Sequence, residues 1–425
     1  MLPHVHRVTK YDPVHRDRHG HYTGTEPAVS DHGPVEAAYL EAVQAFAEES
    51  GVHRLAVREP QVGGFVHFGV EPAADDDGLS GLFPEGLAGF HDGAQVSMDI
   101  ALALVRAMLR DSGAWCRLEA EGAFAVHVGW DQYLYVGSHL PCPGAVARTR
   151  SLGLFPERLD ASPYDVDVDP GAVQRPADDE FWAHLRYVVG RHRATFLEEN
   201  HVGNASRWHR LTADTVDAVR SRLTPRAQLA VWPDLLTDVG TAMAALPEEG
   251  LVEIVWERAD GRVTSVVAEE TAFEAVASQV AGARAAAVVP LDVDGRRPLC
   301  TAVLPDADGV LRARWRTEAT PGDRAWAVLK TLRRGQAVTG TVASVDASGR
   351  ASVDIGGPSA TLDPPTRSRH PVDRSSDAVD VAVGRQVTAV ITDIDPVREH
   401  VALSLLPGLA DGRPGTPAAR PGRPV

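Results

Sequence analysis

Arginines and aromatic residues are interleaved between His184 and Arg210, a composition suited to holding a phosphodiester chain. Arg186, Arg191, Arg193, Arg207 and Arg210 are opposed there only by Glu198 and Glu199, with Tyr187, Phe196 and Trp208 between them and Trp182 just before. Guanidinium groups pair bidentately with phosphate oxygens and aromatic faces stack bases, so the pattern points to RNA. The run also reads as plain structure, with Phe181, Leu185, Val188, Val189 and Phe196 as a core stripe and the arginines on a solvated helix face. Arg191, Arg193, Arg207, Trp208 and Arg210 are taken from it as candidate nucleic-acid contacts. A second basic group, Arg367, Arg369, His370 and Arg374, lies in a polar loop, with Arg350 at a turn upstream.

Other reactive residue types form no catalytic pattern. There is no Gly-x-Ser-x-Gly, no Walker lysine and no Gly-x-Gly-x-x-Gly after a strand, so no catalytic residue and no cofactor is assigned. Six of the 17 histidines fall in the first 32 residues. His4-x-His6 and His19-x-His21 set imidazoles on one side of an extended segment, with Asp12, Asp17 and Asp31 as oxygen donors, but no metal-site spacing is matched and no metal is assigned. His127 and Trp130 read as structural, one on a strand and one at a turn. With Asp131 and Tyr133 they are also placed to rim a pocket. The phrases DVDG and DADG read as strand-linking turns, not calcium loops.

Periodicity supplies the elements that carry these residues. From Val35 to Glu49 the apolar positions recur at helical spacing, with Pro34 in the first turn, and a second helix spans Met98 to Asp111. Strand-like HRLAVREP and GGFVHFGV lie between these helices, and WCRLEAE, FAVHVGW and QYLYVGS follow as a meander before a third helix near Pro143 to Leu152. From Leu235 to Leu332 the order of elements is the same, α-β-β-α-β-β-β-α, including a hairpin with Asp260-Gly261 at its turn, which suggests an internal repeat. The reading is an α+β multidomain protein: two α/β-meander units with a helical middle section, then a C-terminal barrel. Its expected segments are a histidine-rich 1–33, an α+β domain 34–160, a linker 161–179, a helical section 180–234, a second α+β domain 235–333, a barrel 334–406 and a disordered tail 407–425.

The barrel expectation rests on Gly335 to Leu406. Its opening GQAVTGTV phrase, the VGRQV restart and the closing VALSL resemble the S1 RNA-binding domain, a five-stranded OB-fold. That resemblance covers about one sixth of the chain and implies binding of single-stranded RNA through stacking residues on the second and third strands. By the same resemblance Gly349 and Ser352 stand where two phenylalanines are expected, and Asp363 stands at the histidine position. The segment carries nine acids against six arginines, so its phosphate contacts must come from the local group Arg350, Arg367, Arg369, His370 and Arg374.

Length, charge and cysteine content bound the rest. A chain of 425 residues is too long for one core. The formal net charge of −16 requires any RNA contact to use a local basic patch on an acidic body. Lys10 and Lys330 are the only lysines, an arginine bias read as GC-rich, bacterial coding. Cys116, Cys142 and Cys300 are widely spaced and odd in number, which argues against a disulfide framework and for a reducing cytoplasm. No signal peptide and no membrane span is expected. The functional expectation is a non-catalytic protein that binds single-stranded RNA. A regulatory protein that docks on a protein partner, and more weakly an RNA-processing enzyme, are the alternatives.

Overall fold

Among the described residues strand outweighs helix, and many of the strands alternate apolar and polar positions. The computed structural model describes residues 2–25, 32–67, 79, 81–129, 133–163, 174–191, 196–291, 297–314, 320–363, 381–395 and 400–405. The chain divides into two compact units, Met1–Glu318 and Ala319–Val425.

The first unit opens with β1 (His4–Thr9), α1 (Pro34–Glu49), β2 (Arg54–His67) and β3 (Gln95–Ser97). It continues with α2 (Met98–Leu109), β4 (Ala114–Ala120), β5 (Phe124–Val128), β6 (Leu134–Ser138), α3 (Pro143–Ser151) and β7 (Phe155–Leu159). Next come α4 (Asp179–Gly190), β8 (Phe196–Arg210), α5 (Val216–Arg220), β9 (Gln228–Trp232) and α6 (Val239–Met243). β10 (Val252–Glu257), β11 (Val263–Ala268), α7 (Phe273–Val280), β12 (Ala285–Pro290) and β13 (Cys300–Val303) complete it. A ten-stranded sheet runs β13-β9-β8-β2-β4-β5-β6-β1-β7, with β3 also paired to β2. Among its named strands β2 and β8 pair in parallel, and the other described pairs are antiparallel. A separate three-stranded sheet has the order β11-β10-β12.

Apolar positions at helical spacing bury α1 and α2 against one face of the large sheet. Tyr39, Val43 and Phe46 of α1 and Leu104 and Val105 of α2 share a core with Leu118, Val126 and Val136 of the strands. Each such side chain contributes about 1.5–3 kcal/mol by leaving water. The expected Asp260-Gly261 turn joins β10 to β11, with Gly261 at φ 82°. In the Asp306-to-Gly309 turn, Gly309 N–H donates to the Asp306 carbonyl at 2.8 Å. The DVDG turn lies outside the described residues. The two halves share a local neighbour order, β3-β2-β4 and β11-β10-β12, and then part. β5 extends the first meander, whereas β13 pairs with β9.

Two expectations change here. The middle section is not mainly helical, because β8 and β9 fill much of it as strands of the large sheet. Nor does Val310–Arg314 form the expected third strand of the second half. Its arginines are held by carboxylates instead, Arg312 by Asp306 and Asp308 and Arg314 by Glu119. In the expected linker, Ala177 N–H donates to the Val303 carbonyl at 2.8 Å, which ties that stretch to the edge of β13.

The second unit holds α8 (Pro321–Leu329), whose Thr320 and Asp323 form a reciprocal capping box, and then the expected closed five-stranded barrel. Its strands are β14 (Ala337–Val345), β15 (Ala351–Asp354), β16 (Ser359–Leu362), β17 (Gln386–Asp395) and β18 (His400–Leu405). The order β14-β15-β16-β18-β17 closes on β14, and β16–β18 is the one parallel pair. This is an OB-like arrangement. Val342, Val353, Leu362, Ile391 and Leu403 fill the interior, and Leu329 and Leu332 pack with them.

Gly340 marks the tightest point of the barrel, since a Cβ there would lie 2.6 Å from the Asp354 carbonyl oxygen and from Val353 Cγ1. Gly340→Ala is therefore expected to cost about 1–3 kcal/mol in urea unfolding of the second unit. Ala343→Ser, at an exposed position of the same strand, should stay within about 0.5 kcal/mol of the parent.

Candidate nucleic-acid interface

The barrel presents a polar outer face on β15, β16 and β18. Alternation turns Val353 and Leu362 inward and leaves Ser352 and Thr361, cross-strand partners, outward. The Thr361 hydroxyl lies 2.8 Å from His400 Nε2 on the neighbouring strand. Arg350 follows the tight turn between β14 and β15 and donates from Nε to Asp363 Oδ1 at 2.8 Å. Asp346 shapes that turn by accepting from the Ser348 and Arg350 amides at 2.8 and 3.0 Å. Gly349 sits in it at φ 82°, which explains a glycine there without reference to any ligand. Arg367, Arg369, His370 and Arg374 lie outside the described residues.

The 184–210 group is built differently from a helical basic face. Arg191 is exposed at the C-terminal end of α4, its guanidinium 5.3 Å from the Tyr187 ring centre. Arg193 lies outside the described residues. Arg207, Trp208 and Arg210 belong to β8, where successive side chains turn to opposite faces. Arg207 and His209 therefore go one way, to Glu199, and Trp208 and Arg210 the other, to Glu253 and Glu257. The Arg207 contact has a geometric condition. Eight residues of straight strand span about 26 Å, so β8 must turn back on itself, and Asn204 within it adopts φ 64°.

Glu198 and Glu199 organise this end of the sheet, each fully buried. Glu198 accepts from Trp232 Nε1 at 2.9 Å and from Asn200 at 3.0 Å. Glu199 accepts from the Thr224 amide at 2.7 Å, with His209 Nε2 also 2.7 Å away. Burial alone would raise the Glu199 carboxyl. The His209 hydrogen bond, the Thr224 amide and the Arg207 charge outweigh it and hold the group at about 2. The cations that composition offered to RNA thus serve largely to neutralise buried carboxylates. Arg186 pairs with an exposed carboxylate, Asp217.

A polar row across the far face of the sheet was not assembled from the sequence. His127 faces Tyr135, Tyr135 faces Arg7, and Arg7 faces Glu157 across β5, β6, β1 and β7. Arg58 faces Arg117 between β2 and β4. Its signal was the period-2 placing of single polar residues in AWCRLEA, FAVHV and HVHRVT. His127 and Tyr133 lie in described parts of the expected pocket rim, whereas Trp130 and Asp131 lie outside them. Burial, reinforced by Arg117, lowers the His127 imidazole to about 3. His6 is on the helix-bearing face, 5.3 Å from the Phe46 ring, so it does not share a side of β1 with Arg7.

A buried ionic chain ties the strands to the segment before the second unit. Asp92, 2% exposed, contacts Arg58 at 3.0 Å and Arg226 at 3.3 Å. Arg226 grips Asp306 bidentately at 2.7 and 2.9 Å. Among the described residues, no group of three or more His, Cys, Asp or Glu side chains is placed to hold a metal ion. Among them too, no helix is long and apolar enough to cross a membrane.

No known family model matches this chain, and no curated protein matches it.

The buried histidines set an acid limit. His127 and His201, 2% and 1% exposed, titrate at about 3 and about 4 in the fold against 6.5 for the free side chain. In both, burial is the leading cause. Their contribution is complete above pH 6.5 and is lost as pH falls toward those lowered values. Unfolding free energies from urea titrations should fall as pH drops from ~6.5 to ~5, by on the order of 1 kcal/mol per pH unit for each imidazole. His127→Gln should flatten that slope. Glu199 adds a second loss only below 4.5, as it is protonated on the way to about 2.

Proposed function

We propose that this is a non-catalytic RNA-binding protein of the cytoplasm whose C-terminal barrel, of the S1 type, makes the contact with single-stranded RNA. The observation that carries this reading is the closed β14-β15-β16-β18-β17 barrel, in which the second and third strands present Ser352 and Thr361 beside His400. In OB-folds that surface is the one that binds oligonucleotides. Arg350 stands at its edge, and the 367–374 basic group follows β16 in sequence. With no aromatic residue at the described outward positions of β15 and β16, binding rests on hydrogen bonds and charge more than on base stacking, and so has little sequence preference. Cys116, Cys142 and Cys300 are buried and not joined in disulfides, which agrees with a reducing compartment.

A regulatory role on a protein partner is the second reading. It is favoured by one observation: Arg186, Arg207 and Arg210 are bound to carboxylates of the protein itself. A filter-binding salt titration of the full chain with single-stranded RNA separates the two. RNA binding should weaken with a slope of several ions, and Arg350→Glu should reduce both affinity and that slope by about one ion. Absence of binding at low salt would sink the RNA reading and leave the protein partner.

A further inference from the structure

Helix α8 brings an exposed arginine to one end of the barrel's polar face. From Arg324 to Val345 the sequence holds four cations, Arg324, Lys330, Arg333 and Arg334, and no acid, in a chain where acids outnumber basic residues 58 to 42. Two of the four serve the fold. Arg333 donates from Nη1 to the Lys330 and Leu332 carbonyls at 2.9 and 2.8 Å, which closes the end of the helix. Arg334 pairs with Asp393. Asp323, the acid just before Arg324, is 3% exposed and spent on the capping box. Arg324 differs from these neighbours. It is exposed, and its guanidinium makes no hydrogen bond or ion pair among the described residues.

Gly357 fixes where that arginine stands. It lies in the turn between β15 and β16 at φ 152°. A Cβ on it would be 3.2 Å from Val328 Cγ2 and 3.4 Å from both Ala325 Cα and the Arg324 carbonyl oxygen. Helix α8 therefore rests on the β15–β16 turn through Arg324, Ala325 and Val328. His400 belongs to the same end of the strands, since it pairs with Ser359, the first residue of β16. Asp354 is the acid at this end, and its Oδ1 accepts from the Gly356 amide at 2.9 Å. Arg350 and Asp363 mark the opposite end, one before β15 and the other after β16. From Arg350 to Gly356 an extended chain covers about 20 Å. The face that carries Ser352 and Thr361 is thus bounded by a cation at each end: Arg350, shared with Asp363, and Arg324. A guanidinium with unused donors takes a phosphate bidentately.

We propose that α8 is part of the RNA-binding surface, and that Arg324 binds a backbone phosphate where the strand leaves the barrel face at the β15–β16 turn. This inference rests on the RNA reading of the barrel and extends the contact to a helix outside the five strands.

Filter binding of a 12-nucleotide oligouridylate to the full chain, repeated across salt concentrations, tests the two levels separately. Arg324→Gln should lower the salt slope by about 0.7 and the low-salt affinity by about three- to tenfold. Circular dichroism should not change, because the side chain is exposed and unpaired among the described residues. Arg324→Lys keeps the charge and should restore the slope. Arg350→Gln should cause a loss of similar size, and the two losses should add in the double variant, because the residues stand at opposite ends of the face. Arg222→Gln, at an exposed arginine of the first unit, should alter neither quantity. Wild-type affinity and slope in Arg324→Gln, or an equal loss in Arg222→Gln, would overturn the role of Arg324 and leave the RNA reading standing. Failure of the parent chain to bind at low salt would overturn that reading and this inference with it.

Discussion

Charge buried in the large sheet governs the architecture of the first unit. One face of β4, β5 and β6 is covered by helices and is apolar, while the other carries arginine, histidine and tyrosine in register. A buried arginine without a partner costs several kcal/mol, so each must meet a carboxylate brought from elsewhere in the chain. Asp92 and Glu157 meet that need for Arg58 and Arg7, and Asp306 holds Arg226. The consequence is that remote segments are stitched together. Arg226 alone joins Asp92 to Asp306, and its guanidinium sits where a Cβ on Gly93 would be, 2.4 Å from Nη1.

The barrel answers to a different constraint, closure with little interior volume. Small residues make it fit. Ala351, Ala360 and Ala389 are interior positions, and Gly340 lets β14 approach the carbonyl of Asp354. Departures from pairing register at Val342/Ser344 and Ile391/Asp393 bend β14 and β17, as curvature in a small barrel requires. Its outer surface is consequently the free variable. A polar outer surface of serine, threonine and histidine is compatible with closure and leaves ligand chemistry to the loops.

Elements whose pattern is local were legible. α1, α2 and α3, the β4–β6 meander and the Asp260-Gly261 turn follow from periodicity and turn chemistry within a few residues. β8 was not, because FLEENHVGNASRWHR lacks apolar alternation: Glu198 and Glu199 are buried there by partners as distant in sequence as Trp232 and Thr224. The candidate contacts show the same division. Arg350 at a turn was readable from Asp346-Ala-Ser-Gly, whereas the occupation of Arg207 by Glu199 and of Arg210 by Glu257 was not.

By itself, then, the sequence determined which stretches alternate and where turns fall, because those depend on neighbours within a few residues, while the five-stranded barrel was implied by the resemblance of Gly335 to Leu406 to the S1 domain. Only the tertiary structure decided which charges are available. An arginine free to meet a ligand and one committed to a buried carboxylate are the same letter. Arg226 is committed because long-range packing places Asp92 and Asp306 in its reach.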